Sequence, residues 1–286
     1  MHVPVMVAEC LEYLALRPDG IYLDATAGLG GHTAAIAQRL KTGYVIANDR
    51  DAESLDQARR NTAQWADRIR FHRGAFANLA AALEANGVER VDGLLADLGV
   101  SRFQLTEPER GFSLMAEGPL DMRMDRSQTT TADDIVNLAS EKELADLIYQ
   151  FGEERRSRRI SRAIVRARPI HSTQRLSSVI EAAVPRTSKI HPATQTFMAL
   201  RMAVNDEPAE LDRLLAIAPD LVKSGGRIVI LTFMSLEDRK VKQSFQTLAR
   251  AGRGVILTKH VIKPALEETK RNPPSRSAKL RALELV

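Results

Sequence analysis

An α/β fold, with helices flanking a parallel sheet and a helical insertion interrupting it, is what the sequence predicts, on three observations. Short apolar runs alternate with stretches of helical spacing from the N-terminus to Asp97. A glycine-rich turn follows the first strand-like run. The alternation then stops after Asp97 and resumes near Arg227.

The elements follow in order. Val7 to Leu16 has the spacing of a short amphipathic helix, with Leu11, Tyr13 and Leu14 near one face, and Pro18-Asp19-Gly20 makes a turn. Ile21 to Asp24 reads as a strand that runs into Ala25-Thr26-Ala27-Gly28-Leu29-Gly30-Gly31-His32, after which Thr33 to Leu40 is helical. Tyr44 to Asp49 is a second strand, with a helix around 52–66. Ile69 to His72 is a third, with a helix at 79–86, and Val91 to Asp97 a fourth. From about Thr106 to Asn205 there are helical patterns but no strand pattern, among them Leu144, Leu147, Ile148 and Phe151, and Ile160, Ala163, Ile164 and Ala167. A turn at Ser224-Gly225-Gly226 precedes a strand at 227–233, and 255–262 and 280–286 complete the sheet. The organisation expected is one α/β domain, residues 1–105 and 206–286, carrying a helical domain over 106–205.

Composition bounds the function classes. A chain of 286 residues that is 44% hydrophobic and 27% charged is neither disordered nor fibrous. Forty-one Lys and Arg against 36 Asp and Glu, a net charge of +5, is a weak pull towards a polyanion. The single cysteine, Cys10, excludes an intramolecular disulfide and a thiolate metal cluster. The six histidines show no metal-ligand spacing, so no metal is expected. The first residues lack the basic and apolar regions of a signal peptide, and no stretch approaches the roughly 18 apolar residues of a membrane span. A cytoplasmic protein without a membrane partner is expected.

The glycine turn is the chemical centre of the sequence. A turn of this kind between a strand and its helix lets backbone and ligand approach closely, and the helix N-terminus offers unpaired N–H groups. The dinucleotide fingerprint needs a third glycine where Thr33 stands, and an acid just before the turn, Asp24, would repel a pyrophosphate. A cofactor without phosphates and with a cationic end suits an acid there, which describes S-adenosyl-L-methionine. Asp49, 25 residues on at the end of the second strand, is placed for ribose hydroxyls, and Asp97 ends the fourth strand where an adenine-side polar group is expected. Taken singly, each acid reads equally well as a helix cap. Together with the glycines they predict a Rossmann-like class I S-adenosylmethionine-dependent methyltransferase sheet with an inserted helical domain.

The acceptor is less legible. Arg155, Arg159, Arg162 and Arg166 fall at helical spacing within a run that also holds Arg156, Arg158 and Arg168. Such a row suits a phosphate backbone, while a solvated face partly paired with Glu153 and Glu154 is the plainer reading. Enzymes that methylate exocyclic amines of bases often carry Asn or Asp, then Pro-Pro and an aromatic, after the fourth strand. Here that segment is Asp97-Leu98-Gly99-Val100-Ser101, and Asn272-Pro273-Pro274-Ser275 lacks the aromatic. These patterns leave the acceptor atom open.

The sequence resembles the bacterial ribosomal RNA small subunit methyltransferase H family, also called MraW, essentially from end to end. The matching blocks are His2-Val3-Pro4-Val5-Met6, Asp24-Ala25-Thr26 with Gly30-Gly31-His32, Asp97-Leu98-Gly99-Val100-Ser101 and Glu109-Arg110-Gly111-Phe112-Ser113. The long block Gly118-Pro119-Leu120-Asp121-Met122-Arg123-Met124-Asp125 is the most unusual of them, and His191 to Thr194, Ala203 to Glu207, Ser235 to Arg239 and Arg276 to Arg281 follow. The resemblance implies N4-methylation of a cytidine in the decoding region of 16S rRNA, with S-adenosyl-L-methionine as donor and the 30S subunit as the expected partner. It implies cofactor contacts at Gly30, Gly31, His32, Asp49, Phe76, Asp97 and Gln104. The sequence departs from the family at Arg102 to Thr106 and at Met234, where His is usual.

In-line displacement by the cytosine amine is the chemistry expected. That amine is a weak nucleophile, so an enzyme must position it and accept its hydrogens, and Asp97 is the candidate catalytic residue. Arg123 or the insertion arginines are candidates for RNA phosphates. A catalytically weak ribosome-assembly factor that binds S-adenosylmethionine and RNA is the alternative, resting on the two departures. Oligomeric state, a homodimer included, stays open.

Overall fold

The computed structural model describes residues 4–186 and 190–286, so His2 and Val3 of the N-terminal block lie outside the described residues. The chain forms two compact units. One comprises residues 1–99 and 208–286, and the other 100–207.

The first unit is built as the apolar alternation dictates. Helix α1 (Val7–Leu14) leads into β1 (Ile21–Asp24), then α2 (Gly31–Arg39), β2 (Tyr44–Asp49), α3 (Ala52–Asn61), β3 (Ile69–Arg73), α4 (Leu79–Glu84) and β4 (Val91–Asp97). In the second unit follow α5 (Arg102–Thr106), α6 (Ala132–Leu138), α7 (Glu141–Gly152), α8 (Ser157–Ala167), α9 (Thr173–Ala183) and α10 (Thr194–Val204). The chain then continues through α11 (Glu207–Leu221), β5 (Val222–Thr232), α12 (Ser235–Arg250), β6 (Gly254–Ile256), α13 (Leu266–Arg271) and β7 (Lys279–Leu285).

The seven strands lie in the order β3-β2-β1-β4-β5-β7-β6, with β1 to β5 paired in parallel and β7 antiparallel to both of its neighbours. Because successive strand residues face opposite sides, one sheet splits two cores. Leu23, Leu94, Ile228 and Ile230 pack with Leu83, Leu214 and Phe245 on one face. Tyr22, Leu95, Val229 and Leu231 pack with Cys10, Ile36 and Leu55 on the other. Both faces are covered, which is why these strands read as near-continuous apolar runs rather than alternating ones.

Two expectations change. Ser224-Gly225-Gly226 is an irregularity inside β5 rather than a turn before it, since the pairing with β4 skips from Val91↔Val222 to Gly93↔Arg227. Gly225 takes the extra length at φ 74, which glycine tolerates without strain. Of the strand expected at 255–262, only Gly254–Ile256 pairs continuously, and Ile262 makes a single bridge to Leu280.

The second unit is helical, as its spacing predicts, around a core of Leu144, Ile148, Ile160, Ile164, Leu176, Ile180, Phe197 and Leu200. Its boundary follows Gly99, so α5 and Gln104 belong to this unit rather than to the sheet-bearing one. The block Gly118 to Asp125 is held from within. Asn205 donates to the Met122 carbonyl and accepts from the Met124 N–H, both at 2.7 Å, which bracket Met122 at φ 59.

Candidate active site

In parallel α/β sheets, ligands meet the carboxyl edge where the strand order reverses. Here that point is the β1/β4 pair, and the register fixes what stands there. Asp24 is level with Ala47 of β2 and Leu95 of β4, so Asp49 and Asp97 project two residues farther on either side of it. The three acids therefore share one edge.

Their surroundings differ. Asp24 is fully buried, and its carboxylate accepts the Thr33 hydroxyl at 2.6 Å, the Thr33 N–H and the Thr26 N–H at 3.2 Å. It ties the end of β1 to the first turn of α2, and Thr33, in place of a third glycine, supplies the tie. Burial raises its pKa, opposed by His32 and these hydrogen bonds. The expectation that Asp24 faces a cationic ligand is not met, because its oxygens are turned inward.

Asp49 keeps both carboxylate oxygens at the turn, accepting from Gly28 N–H at 2.8 Å and Asp51 N–H at 2.9 Å. Burial pushes its pKa up to about 6 against those two hydrogen bonds. Asp97 donates its own backbone N–H to the Thr26 hydroxyl at 2.6 Å, which fixes the strand end. Its Oδ2 lies 3.6 Å from His32 Nδ1, while its buried Oδ1 has no hydrogen-bond partner among the described residues. Burial lifts the Asp97 pKa to about 6, with His32 opposing and Asp24 and Glu237 adding to the rise.

His32 lies in the first turn of α2. Its ring is buried, with Nε2 at 2.9 Å from the Val5 carbonyl. A carbonyl only accepts, so Nε2 carries a hydrogen and Nδ1 is the nitrogen facing Asp97. The glycines have local reasons as well. Gly30 caps α2 at φ 85, and a Cβ there would meet Thr62 Cγ2 at 2.7 Å, whereas one on Gly31 would meet Pro4 at 2.9 Å. Their smallness lets α2 begin against α3 and the N-terminal segment.

Phe76 is half-buried beyond β3, and its N–H donates to the Glu210 carboxylate at 3.0 Å. Gln104 lies in the second unit, where its Oε1 accepts the Ser101 N–H at 3.0 Å in a capping box on α5. Met234 precedes α12, and the Glu237 carboxylate accepts the N–H groups of Phe233 and Met234 at 3.0 and 3.1 Å. Thr26, Thr33, Glu210 and Glu237 went unremarked in the sequence as parts of this edge. Their partners are brought to them by the sheet, and no local pattern marks that.

Arg123 does not offer a phosphate ligand. Its guanidinium grips Asp121 through Nε and Nη2 at 2.8 Å each, and Nη1 donates to the carbonyls of Gln128 and Arg126. Among the described residues no group of three or more His, Cys, Asp or Glu is arranged to hold a metal ion, and no helix is long and apolar enough to cross a membrane.

Comparison with known proteins agrees with the resemblance. A protein from Solibacter usitatus named ribosomal RNA small subunit methyltransferase H is 66% identical over 285 residues, covering 100% of both chains. One of the same name from Acidobacterium capsulatum is 47% identical, over 99% of this chain and 98% of its own. Among solved structures, an rRNA methylase from Streptococcus thermophilus aligns over 100% of this chain and 99% of its own, with a TM-score of 0.49 at 12% identity. The model of the MraW methylase family matches residues 1–286, and the chain belongs to that family.

Proposed function

We propose that this protein transfers a methyl group from S-adenosyl-L-methionine to small-subunit ribosomal RNA, at N4 of a cytidine in the decoding region of 16S rRNA within the 30S subunit. Family membership and the shared name of its full-length relatives support the donor and the RNA. The observation that carries the site is Asp97 Oδ1, a buried carboxylate oxygen without a partner at the sheet's switch point.

The residues fit the cofactor. Asp49 presents two oxygens, each already oriented by one backbone N–H, to a ribose diol. Gly30, Gly31 and His32 form the α2 start, and the half-buried Phe76 ring offers an apolar face. Gln104, which the resemblance also implies, lies in the other unit, and the reading rests on the first unit's residues.

When bound, S-adenosyl-L-methionine supplies an electrophilic sulfonium methyl. The chain's part is to orient the amine and to accept its hydrogens as positive charge develops on nitrogen. Asp97 does this through its partly exposed carboxylate, while His32 Nδ1 lies 3.6 Å from Oδ2 and Thr26 holds its backbone. His32 is fixed through Nε2 by the Val5 carbonyl and borders Asp97 at 3.6 Å.

Asp97→Asn tests this assignment. It keeps the shape but weakens the acceptor, so single-turnover methyl transfer falls by about 10²- to 10³-fold, with S-adenosylmethionine affinity measured by calorimetry within a few-fold of the native value. Unchanged transfer removes Asp97 from the chemistry. Affinity falling in step with the rate makes it a cofactor ligand alone.

A further inference from the structure

Helix α8 carries charge in an arrangement that works against its own stability. Arg158, Arg159, Arg162 and Arg166 project within about 100° of arc, at 100° per residue, and all four are exposed. Ser157, Ile160, Ser161 and Ile164 occupy the opposite side and are buried. The exposed row spans about 12 Å, eight residue steps of 1.5 Å, and Arg155 stands one turn before it.

Three features set this row apart from an ordinary solvated face. The first turn holds no acid, and the N-cap position, Arg156, makes no side-chain cap, so Arg158 and Arg159 face the positive end of the helix dipole. Like charges four apart are mutually destabilising, where a solubilising face would alternate Glu with Arg or Lys. Arg162 has one acid, the exposed Glu141 at 3.4 Å, and Arg155, Arg158, Arg159 and Arg166 have no ion-pair partner among the described residues. A local rule broken this consistently points to a ligand that supplies the missing negative charge.

The chemistry selects the ligand. All the exposed cations of the row are arginines, whose planar forks grip phosphate oxygens bidentately. Their spacing along one line suits successive phosphates of a strand better than one compact anion. A lipid surface suits it less, because an amphipathic membrane helix buries its apolar face in the bilayer, and here Ile160 and Ile164 are locked in the unit's core at 0% exposure.

We infer that the α8 arginine row is a docking surface for an RNA phosphate backbone, through which the helical unit holds the substrate of the methyl transfer. This rests on the ribosomal-RNA reading above and adds where, and by which contacts, that RNA is held. The contacts carry no base specificity: they set affinity and register.

The test compares the full-length protein with the triple variant Arg158→Gln, Arg162→Gln, Arg166→Gln and with a charge-matched control, Arg60→Gln, Arg90→Gln, Arg250→Gln, whose sites are exposed and lie in the other unit. Binding to 30S subunits is measured over a range of KCl. Removing three phosphate contacts lowers the slope of log affinity against log salt by about two to three. Between 50 and 200 mM KCl the native protein then loses roughly 20- to 40-fold more affinity than the α8 variant does. The α8 variant also raises KM for the subunit while kcat and S-adenosylmethionine affinity hold, and its melting temperature without RNA is no lower than native, since the substitution removes repulsion. The control keeps the native slope. An α8 variant with the control's slope and KM overturns the inference while leaving the RNA reading intact. α8-dependent binding to phosphatidylserine–phosphatidylcholine vesicles with unaltered subunit binding overturns it in favour of a membrane surface. A native protein that binds no subunit at any salt removes both readings together.

Discussion

Asp24, Asp49 and Asp97 end three adjacent strands, yet of these three Asp97 alone keeps a buried oxygen with no hydrogen-bond partner among the described residues. The sequence placed the three acids on one edge because each closes an apolar run, and a strand-terminal acid is easily read. It did not separate their duties. Asp24, read as facing a ligand, is consumed by Thr33 and Thr26, and the distinction depends on which way a carboxylate turns at the foot of a helix. The residue scale also sets the pH behaviour. Burial raises the Asp97 pKa to about 6, and Asp97 must be ionised to accept a hydrogen. Its protonated form therefore predominates below pH 6, and kcat/KM falls as pH drops through about 6 and levels off above it. A flat profile between pH 5 and 8, measured with saturating S-adenosylmethionine, would take Asp97 out of the rate equation.

The strands before the helical unit were legible from their apolar runs. β1, β2 and β4 fall where the apolar runs put them, because strands covered on both faces need continuous apolar side chains. The strands after the helical unit were less legible. Of the strand expected at 255–262 only the first two residues lie in β6, and the glycines taken for a turn are accommodated as extra length in β5. Turn residues and bulge residues have the same composition, and pairing geometry alone tells them apart. The joint between β1 and α2 can be tested at this scale. Thr33→Val removes the hydroxyl from a fully buried carboxylate at nearly constant volume. Loss of a hydrogen bond to a buried charge costs about 1.5–3 kcal/mol, so the variant's urea midpoint falls with little change in m. Stability within about 0.5 kcal/mol of native, the usual range for a surface change, would show that Asp24 does not depend on this joint.

Across the whole molecule, the division into a sheet unit and a helical unit follows from a change of periodicity after Asp97, and the family relationship covers residues 1–286. The boundary itself was harder to read. α5 follows β4 so closely that nothing in the spacing separates it from the sheet, and Gln104 goes with the helical unit. The acceptor was hardest of all, because the Pro-Pro-aromatic pattern that would mark a base amine is absent from Asp97 to Ser101. The departures at Met234 and at Arg102 to Thr106 keep a binding-only assembly factor as the reading to be beaten. The decisive measurement incubates the protein and methyl-labelled S-adenosyl-L-methionine with 30S subunits from cells lacking the endogenous modification, then maps the label by nuclease digestion and mass spectrometry. One methyl group per subunit, on N4 of a decoding-region cytidine, is the result predicted. Tight binding of cofactor and subunit with no label transferred, or label on another atom, would contradict the proposed reaction.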